Sequence, residues 1–138
     1  MQQTLPISIC ILSWHSAKTL HNTLMSYKRN GLLDLSDDVC ILFQEVSTED
    51  EKLANKFGVK FIGLHKNIGI GKGIIHLAKN TKYQRFLFLE NDWELIENKE
   101  TVFERLASGL HLLNNGFDVV RYRSREKYGF PLHSLRHK

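Results

Sequence analysis

The sequence lacks the features that define several common classes of protein. None of its apolar stretches approaches the ~20 residues needed to span a bilayer. The apolar stretch at residues 7–12 has no positively charged lead-in, so the sequence does not support export and favours a cytoplasmic protein. Cys10 and Cys40 are the only two cysteines, and both lie inside apolar stretches, which predicts reduced, buried thiols. The seven histidines are scattered without the spacing of a zinc site.

The composition that is present indicates one folded domain over residues 1–138. A hydrophobic fraction of 42% argues against disorder, and 138 residues are enough for a single layered core. No internal repeat, low-complexity stretch or linker divides the chain. The formal charge of +4 weakly favours anionic partners, and both phosphate-bearing ligands and nucleic acids carry such charge.

Strand-like stretches alternate with helical patterns along the chain. Apolar, β-rich stretches predict strands at ISICILS, DVCILFQEV, VKFIGL and YQRFLFLE, and FDVVRYR follows Gly116 as a further candidate. Capping residues and apolar spacing predict helices from Ser16 to Gly31, from Ser47 to Gly58, and over residues 70–79 and 99–115. This order predicts an α/β fold: a three-layer, Rossmann-like, mostly parallel sheet with helices on both faces.

An acidic stretch follows the fourth predicted strand, in FLFLENDWEL. Ligands of open parallel sheets bind beyond the carboxyl ends of the strands. Glu90 and Asp92 are two residues apart, so an extended backbone would point both carboxylates to one side. Mg²⁺ and Mn²⁺ prefer such hard oxygen ligands, together with phosphate oxygens. Alternatively, these acids cap the turn after the strand or pair with surface lysines and arginines.

The glycine-rich stretch NIGIGKGI, residues 67–74, matches neither common phosphate-binding motif. A P-loop would need Gly at the position of Lys66 and Ser or Thr at that of Gly73, and the dinucleotide fingerprint would need Gly at Ile74. What remains is a flexible turn into a helix that carries Lys72, where backbone amides and a cation could meet an anion. Close packing of this turn against the sheet would explain the glycines equally well.

Four segments, in order, resemble family 2-type glycosyltransferases with the GT-A fold. They are PISICILSWHSAKTLHNTLMSY, DVCILFQEVSTED, HKNIGIGKGIIHLAKN and YQRFLFLENDWEL, and the last is similar to the strand that ends in the family's Asp-x-Asp motif. The resemblance covers residues 6–95, with an extension to residue 125. It implies a GT-A nucleotide-binding sheet, a UDP- or GDP-sugar donor, and Mn²⁺ or Mg²⁺ as cofactor.

The resemblance also implies roles for individual residues. Ser13 and Trp14 would line the nucleoside pocket, Glu45 would contact the base, and His15 lies beside them. Glu90, which stands where the family usually has Asp, would approach the ribose or the metal, and Asp92 would be the principal metal ligand. The remaining nucleotide contacts would come from Asn67, Lys72 and Asn91.

Family members usually continue into an acceptor-binding half that supplies the catalytic base. The chain is therefore expected to be truncated relative to them, with a C-terminal half or a partner chain completing the site. Glu126 is the late carboxylate left as a candidate base. The acceptor would be a glycan, a lipid or a protein.

Two other functions remain open from the residues. The chain could be a non-catalytic nucleotide-binding module. It could also bind nucleic acid through Arg121, Arg123 and Arg125, which would share one face of a strand. No aromatic stacking platform accompanies these arginines, and such a series more often forms a solvated sheet edge, so nucleic acid is not an expected partner.

Overall fold

A computed structural model describes residues 3–122 of the chain. Within this range the elements are β1 (Ser8–Trp14), α1 (Ala17–Arg29), β2 (Val39–Gln44), α2 (Thr48–Lys56), β3 (Lys60–Gly63), α3 (Ile70–Ala78), β4 (Phe86–Glu90) and α4 (Lys99–Asn114). A short 3-10 helix, Leu33–Leu35, lies between α1 and β2. The predicted alternation of strands and helices is confirmed.

The four strands form one all-parallel sheet in the order β3-β2-β1-β4. β1 lies in the interior of the sheet, where Ile11 is opposite Ile41 of β2 on one side and Leu89 of β4 on the other. The first three strands are added in one direction, and the chain then crosses back to place β4 on the far side of β1. The strand order therefore reverses between β1 and β4, and ligands of open parallel sheets bind at such a reversal.

The alternation of side chains along β1 divides the core into two layers. Ile9 and Ile11 pack in a large cluster with apolar residues of α1, α2 and α4. Cys10 and Leu12 point to the opposite face and pack in a smaller cluster with Leu77 of α3. Helices therefore cover both faces, as predicted, and the fold is a three-layer, Rossmann-like α/β structure.

The helix starts predicted at Ser16 and Ser47 differ in how they are capped. Ser47 and Asp50 form a reciprocal capping box at α2: the Ser47 hydroxyl accepts a hydrogen bond from the Asp50 amide at 3.2 Å, and the Asp50 carboxylate accepts one from the Ser47 amide at 2.9 Å. Ser16 occupies the N-cap position of α1, but its hydroxyl donates to the carbonyl oxygen of Trp14 at 2.8 Å. Ser16 thus fixes the turn after β1 and does not cap the helix.

The prediction of a strand at FDVVRYR is wrong for residues 117–122, the part of this segment that the structure describes. Residues 117–122 are irregular. The Tyr122 hydroxyl donates to the carbonyl oxygen of Arg105 at 2.9 Å, and a Cβ atom at Gly109 would lie 2.2 Å from that hydroxyl. The segment therefore packs against α4, and the strand face expected for Arg121 is absent. Arg123 and Arg125 lie outside the described residues.

Candidate functional site

The loops that follow the parallel strands meet at the carboxyl edge of the sheet, here called the rim (residues 13–15, 44–46, 67–72 and 90–93). Leu12 is paired with Glu90, and Trp14 with Gln44, so the end of β1 lies between the ends of β4 and β2. The prediction that the acidic turn shares an edge with Ser13 and Glu45 is confirmed.

Glu45 connects the ends of β1 and β2 through its side chain. Its Oε2 atom accepts a hydrogen bond from Trp14 Nε1 at 2.6 Å, and His15 Nε2 lies 2.5 Å from the same oxygen. The rings of Trp14 and His15 also meet edge to face, with centroids 5.0 Å apart. The hydrogen bonds from Trp14 and then His15 lower the pKa of Glu45, so this carboxylate is ionised at neutral pH. The contacts fix the Trp14 indole while 51% of the residue stays exposed.

The backbone is strained at the same two loops. His15 and Glu45 have φ angles of 49° and 51°, in the left-handed region that non-glycine residues rarely adopt. Such conformations cost on the order of 1–3 kcal/mol each and concentrate at binding and catalytic sites, where surrounding contacts hold them. The sequence indicated the position of His15 but not its pairing with Glu45, because the two residues are 30 positions apart and only the sheet brings them together.

Gln44 anchors the glycine-rich loop, a role that was not predicted from the sequence. Its buried side chain accepts a hydrogen bond at Oε1 from the Ile68 amide at 2.5 Å. The Asn67 side chain accepts from the Gly69 amide at 2.8 Å, which closes a local turn before α3. Lys72 is exposed in the first turn of α3. A glutamine that ends an otherwise apolar, buried strand was the available signal for this anchor.

The acidic turn does not continue the geometry of β4. The strand ends at Glu90, and the Trp93 amide donates to the Glu90 carbonyl oxygen at 3.2 Å. The common orientation expected for Glu90 and Asp92 assumed an extended backbone, so it does not follow from the structure. Burial, and then the negative charge of Asp92, raise the pKa of Tyr27 on α1. The Asp92 carboxylate therefore lies close enough to Tyr27 for its charge to act on that hydroxyl.

One face of α1 holds the segment that follows β4. We call four polar residues the α1 clamp: Thr23, Ser26 and Tyr27 on this face, and Asn30 at the C-cap of the helix. At helical spacings of three and four the first three share a face, and all four bond the backbone of residues 91, 93 and 95 at 2.7–3.0 Å. The Asn91 carbonyl oxygen accepts from Thr23, so Asn91 is fixed by its backbone. The side chains of Asp92 and Glu94, between the bonded residues, are exposed. The clamp gives this acidic segment a fixed path.

Ser13 is not an open wall of the rim. The residue is 1% exposed, and its hydroxyl has no hydrogen-bond partner among the described residues. A buried hydroxyl without a partner is unfavourable, since it has lost its hydrogen bonds to water. Ser13 therefore lies beneath the surface of the rim with an unused donor and acceptor.

The rim residues fit a hard divalent cation in part. Glu90 and Asp92 supply carboxylate oxygens close together in the chain, the ligand type that Mg²⁺ and Mn²⁺ prefer. Within residues 3–122, no group of three or more His, Cys, Asp and Glu side chains is arranged to hold a metal ion. A cation at this turn would thus take its remaining ligands from water or from a bound phosphate.

No protein-family model and no curated protein matches the chain. No helix in the described part, residues 3–122, is long and apolar enough to cross a membrane. Glu126 lies outside the described residues.

Proposed function

We propose that this chain is the nucleotide-sugar-binding part of a glycosyltransferase. The observation that carries the proposal is the reversal of strand order between β1 and β4. Because of it, the exposed indole of Trp14 and the acidic turn from Glu90 to Asp92 follow neighbouring strands at one edge. Nucleotides bind at this place in open parallel sheets.

Each part of the rim has a role in holding the donor. The fixed indole of Trp14 offers a flat apolar surface to the nucleoside. Glu45 uses Oε2 for Trp14 and His15, so an N–H group of the base would be received at Oε1. The Ile68 and Gly69 amides are already bonded to Gln44 and Asn67, so the diphosphate would be held by the Lys72 ammonium group and the backbone amides at the start of α3. Asn91, at the acidic turn, would add a nucleotide contact.

The reaction is the attack of an acceptor hydroxyl oxygen on the anomeric carbon of the sugar. The bond from that carbon to the diphosphate oxygen breaks, and its electron pair leaves with the nucleoside diphosphate. Mn²⁺ or Mg²⁺, held by Asp92 and Glu90, would supply positive charge for the leaving diphosphate. The hydroxyl proton goes to a base, for which Glu126 is the candidate in this chain.

The acceptor is a glycan, a lipid or a protein, and it would be bound by a C-terminal half or a partner chain. We expect the 138-residue chain alone to bind nucleotide weakly and to transfer sugar poorly. General base catalysis typically contributes ~10²- to 10⁴-fold, and in the proposed family the acceptor-binding half usually supplies the base. Efficient transfer by the purified chain would contradict this expectation, and Glu126→Gln would then be the first variant to assay.

Calorimetric titration with UDP and GDP, with and without Mn²⁺, tests the proposal. Asp92→Asn keeps the shape of the side chain but removes its charge. We expect Mn²⁺-dependent affinity to fall at least ~10- to 100-fold. Even the loss of a residue that only hydrogen-bonds to a metal ligand has an effect of this size. Glu90→Gln should lose less, and Glu94→Gln least. Asp34→Asn, in the short helix after α1, is the matched control and should bind like wild type.

Two results would refute the proposal. One is wild-type binding that does not respond to Mn²⁺, and the other is an Asp92→Asn chain that binds as well as wild type with Mn²⁺ present. Nucleotide binding that is never accompanied by transfer, even with an added acceptor-binding half, would favour the non-catalytic module. Salt-sensitive binding of random oligonucleotides without any response to sugar nucleotides would favour a nucleic-acid-binding domain.

A further inference from the structure

Trp93 is a large apolar side chain held in an exposed position. It is 47% exposed, and its ring meets that of Phe88 edge to face, with centroids 6.2 Å apart. Its backbone is fixed on both sides, because its amide donates to the Glu90 carbonyl oxygen at 3.2 Å and its carbonyl oxygen accepts from Tyr27 at 2.7 Å. An indole fixed in this way cannot withdraw from solvent without breaking these contacts.

The surroundings of this indole select among ligands. Asp92 and Glu94 flank Trp93 in the chain, both exposed, and Glu90 begins the same turn. Glu90 and Asp92 are the proposed metal ligands, which leaves Glu94 to accept hydrogen bonds from hydroxyl groups, while the indole offers an apolar face to C–H groups. A pyranose ring presents both surfaces, with C–H groups on one face and hydroxyls around its perimeter.

The two tryptophans stand on opposite sides of the point where the strand order reverses. The Trp14 indole is drawn toward β2 by its bond to Glu45, and the Trp93 indole lies against β4 through Phe88. We propose that Trp93 is a stacking platform for a pyranose ring, next to the nucleoside held at Trp14. This inference rests on the proposed glycosyl transfer, and the ring could belong to the donor or to the acceptor.

Nuclear magnetic resonance of the indole N–H groups tests the platform. The chain has two tryptophans, so it gives two indole signals, and Trp93→Phe assigns them. The acceptor probes are methyl glycosides of glucose, galactose, mannose and N-acetylglucosamine. The donor probes are UDP-glucose, UDP-N-acetylglucosamine and GDP-mannose, each compared with UDP or GDP alone in Mn²⁺. We expect a sugar-bearing probe to shift the Trp93 signal, and the nucleotide alone to shift that of Trp14.

Affinity measurements on variants complete the test. Trp93→Ala should weaken binding of the effective sugar-bearing probe about tenfold and leave binding of UDP or GDP alone unchanged. Trp93→Phe keeps an aromatic ring, so its affinity for this probe should lie between those of wild type and Trp93→Ala. This variant remains informative if the alanine variant unfolds. Ile96→Ala removes another exposed apolar side chain, 69% exposed, from the same segment and should bind like wild type.

The outcomes separate this inference from the proposed function. Nucleotide binding with a Trp93 signal that ignores every sugar probe overturns the platform alone. A Trp93 shift with a glycoside, in a chain that binds no nucleotide, supports the platform and overturns the nucleotide site. A shift with choline but with no sugar probe would show a cation site at this indole and would also overturn the platform.

Discussion

The hydroxyl of Tyr27 donates to the carbonyl oxygen of Trp93 at 2.7 Å, and this bond joins the buried face of α1 to the segment after β4. Burial, and then the charge of Asp92, raise the pKa of Tyr27, so its hydroxyl keeps its proton at neutral pH. The path of the acidic segment therefore depends on a helix that precedes it by more than sixty residues, since Tyr27 and Trp93 are 66 residues apart.

Tyr27→Phe should loosen the acidic segment without opening the core. The change removes one hydrogen bond and leaves the Trp93 carbonyl oxygen without its protein donor, so we expect the free energy of unfolding to fall by ~1 kcal/mol. Mn²⁺-dependent nucleotide affinity should fall as well. Tyr83→Phe is the matched control, because the Tyr83 hydroxyl donates to exposed Asp37 at 2.7 Å, away from the rim. Equal effects of the two changes on nucleotide affinity would contradict the prediction.

Asp38 is the hub of a second polar network, which involves the start of three strands. Its buried carboxylate accepts hydrogen bonds from the Ser8 hydroxyl and the Lys82 amide and forms an ion pair with Lys60. Burial alone would raise the pKa of Asp38. The bonds from Lys60, Lys82 and Ser8 together exceed that effect, and the pKa is lowered.

The lowered pKa predicts a loss of stability in acid. The stabilisation by Asp38 is complete above the ordinary carboxyl pKa of about 3.9 and is lost as the pH falls through the lower pKa of the folded state. Asp38→Asn should be less stable at neutral pH and should lose less on acidification. Asp37→Asn is the control, since Asp37 is exposed and its pair with Lys82 is screened by solvent. Urea unfolding across acidic pH measures both variants, and identical slopes for wild type and Asp38→Asn would refute the prediction.

The cysteines should be unreactive in the folded chain. Cys10 and Cys40 are opposite each other on β1 and β2, and both are free and buried, as the sequence predicted. Burial, and then electrostatic interaction with Cys40 and Asp38, raises the pKa of Cys10 to about 12. Burial also raises the pKa of Cys40. We expect a thiol reagent at mildly alkaline pH to label both residues rapidly only after denaturation. Fast labelling of the folded chain would show that the sheet opens more readily than its packing indicates.

Two glycines at the start of α3 should respond to alanine in opposite directions. Gly69 has a φ of 84°, so Gly69→Ala forces a side chain into the left-handed region and should destabilise the fold by ~1 kcal/mol. A Cβ atom at Gly71 would meet open space. Gly71→Ala should therefore stabilise by roughly 0.4–1 kcal/mol through the unfolded state. Thermal unfolding of both variants provides the measurement, and a stabilising Gly69→Ala would contradict the assigned backbone conformation.

The sequence by itself determined the elements and the edge at which they meet. Apolar alternation and local capping, such as Ser47 with Asp50, depend on residues a few positions apart, so they could be inferred without the fold. Helical crossovers between successive strands then made the strands parallel and brought Trp14, Glu45 and Glu90 to one rim. FDVVRYR shows the limit of local pattern, because packing of Tyr122 against Gly109 on α4 outweighs its strand propensity.

Tertiary structure alone decided what the polar groups of α1 bind. Thr23 and Ser26 are buried on α1, yet an apolar stripe does not reveal them, because their partners are backbone atoms of a distant segment. Thr23 reaches the carbonyl oxygen of Asn91 across 68 residues of sequence. Hydrophobic patterning states only that a side chain leaves water, whereas a hydrogen bond needs a partner at a defined distance and angle. That partner exists only after the sheet has formed and the acidic segment lies beside α1.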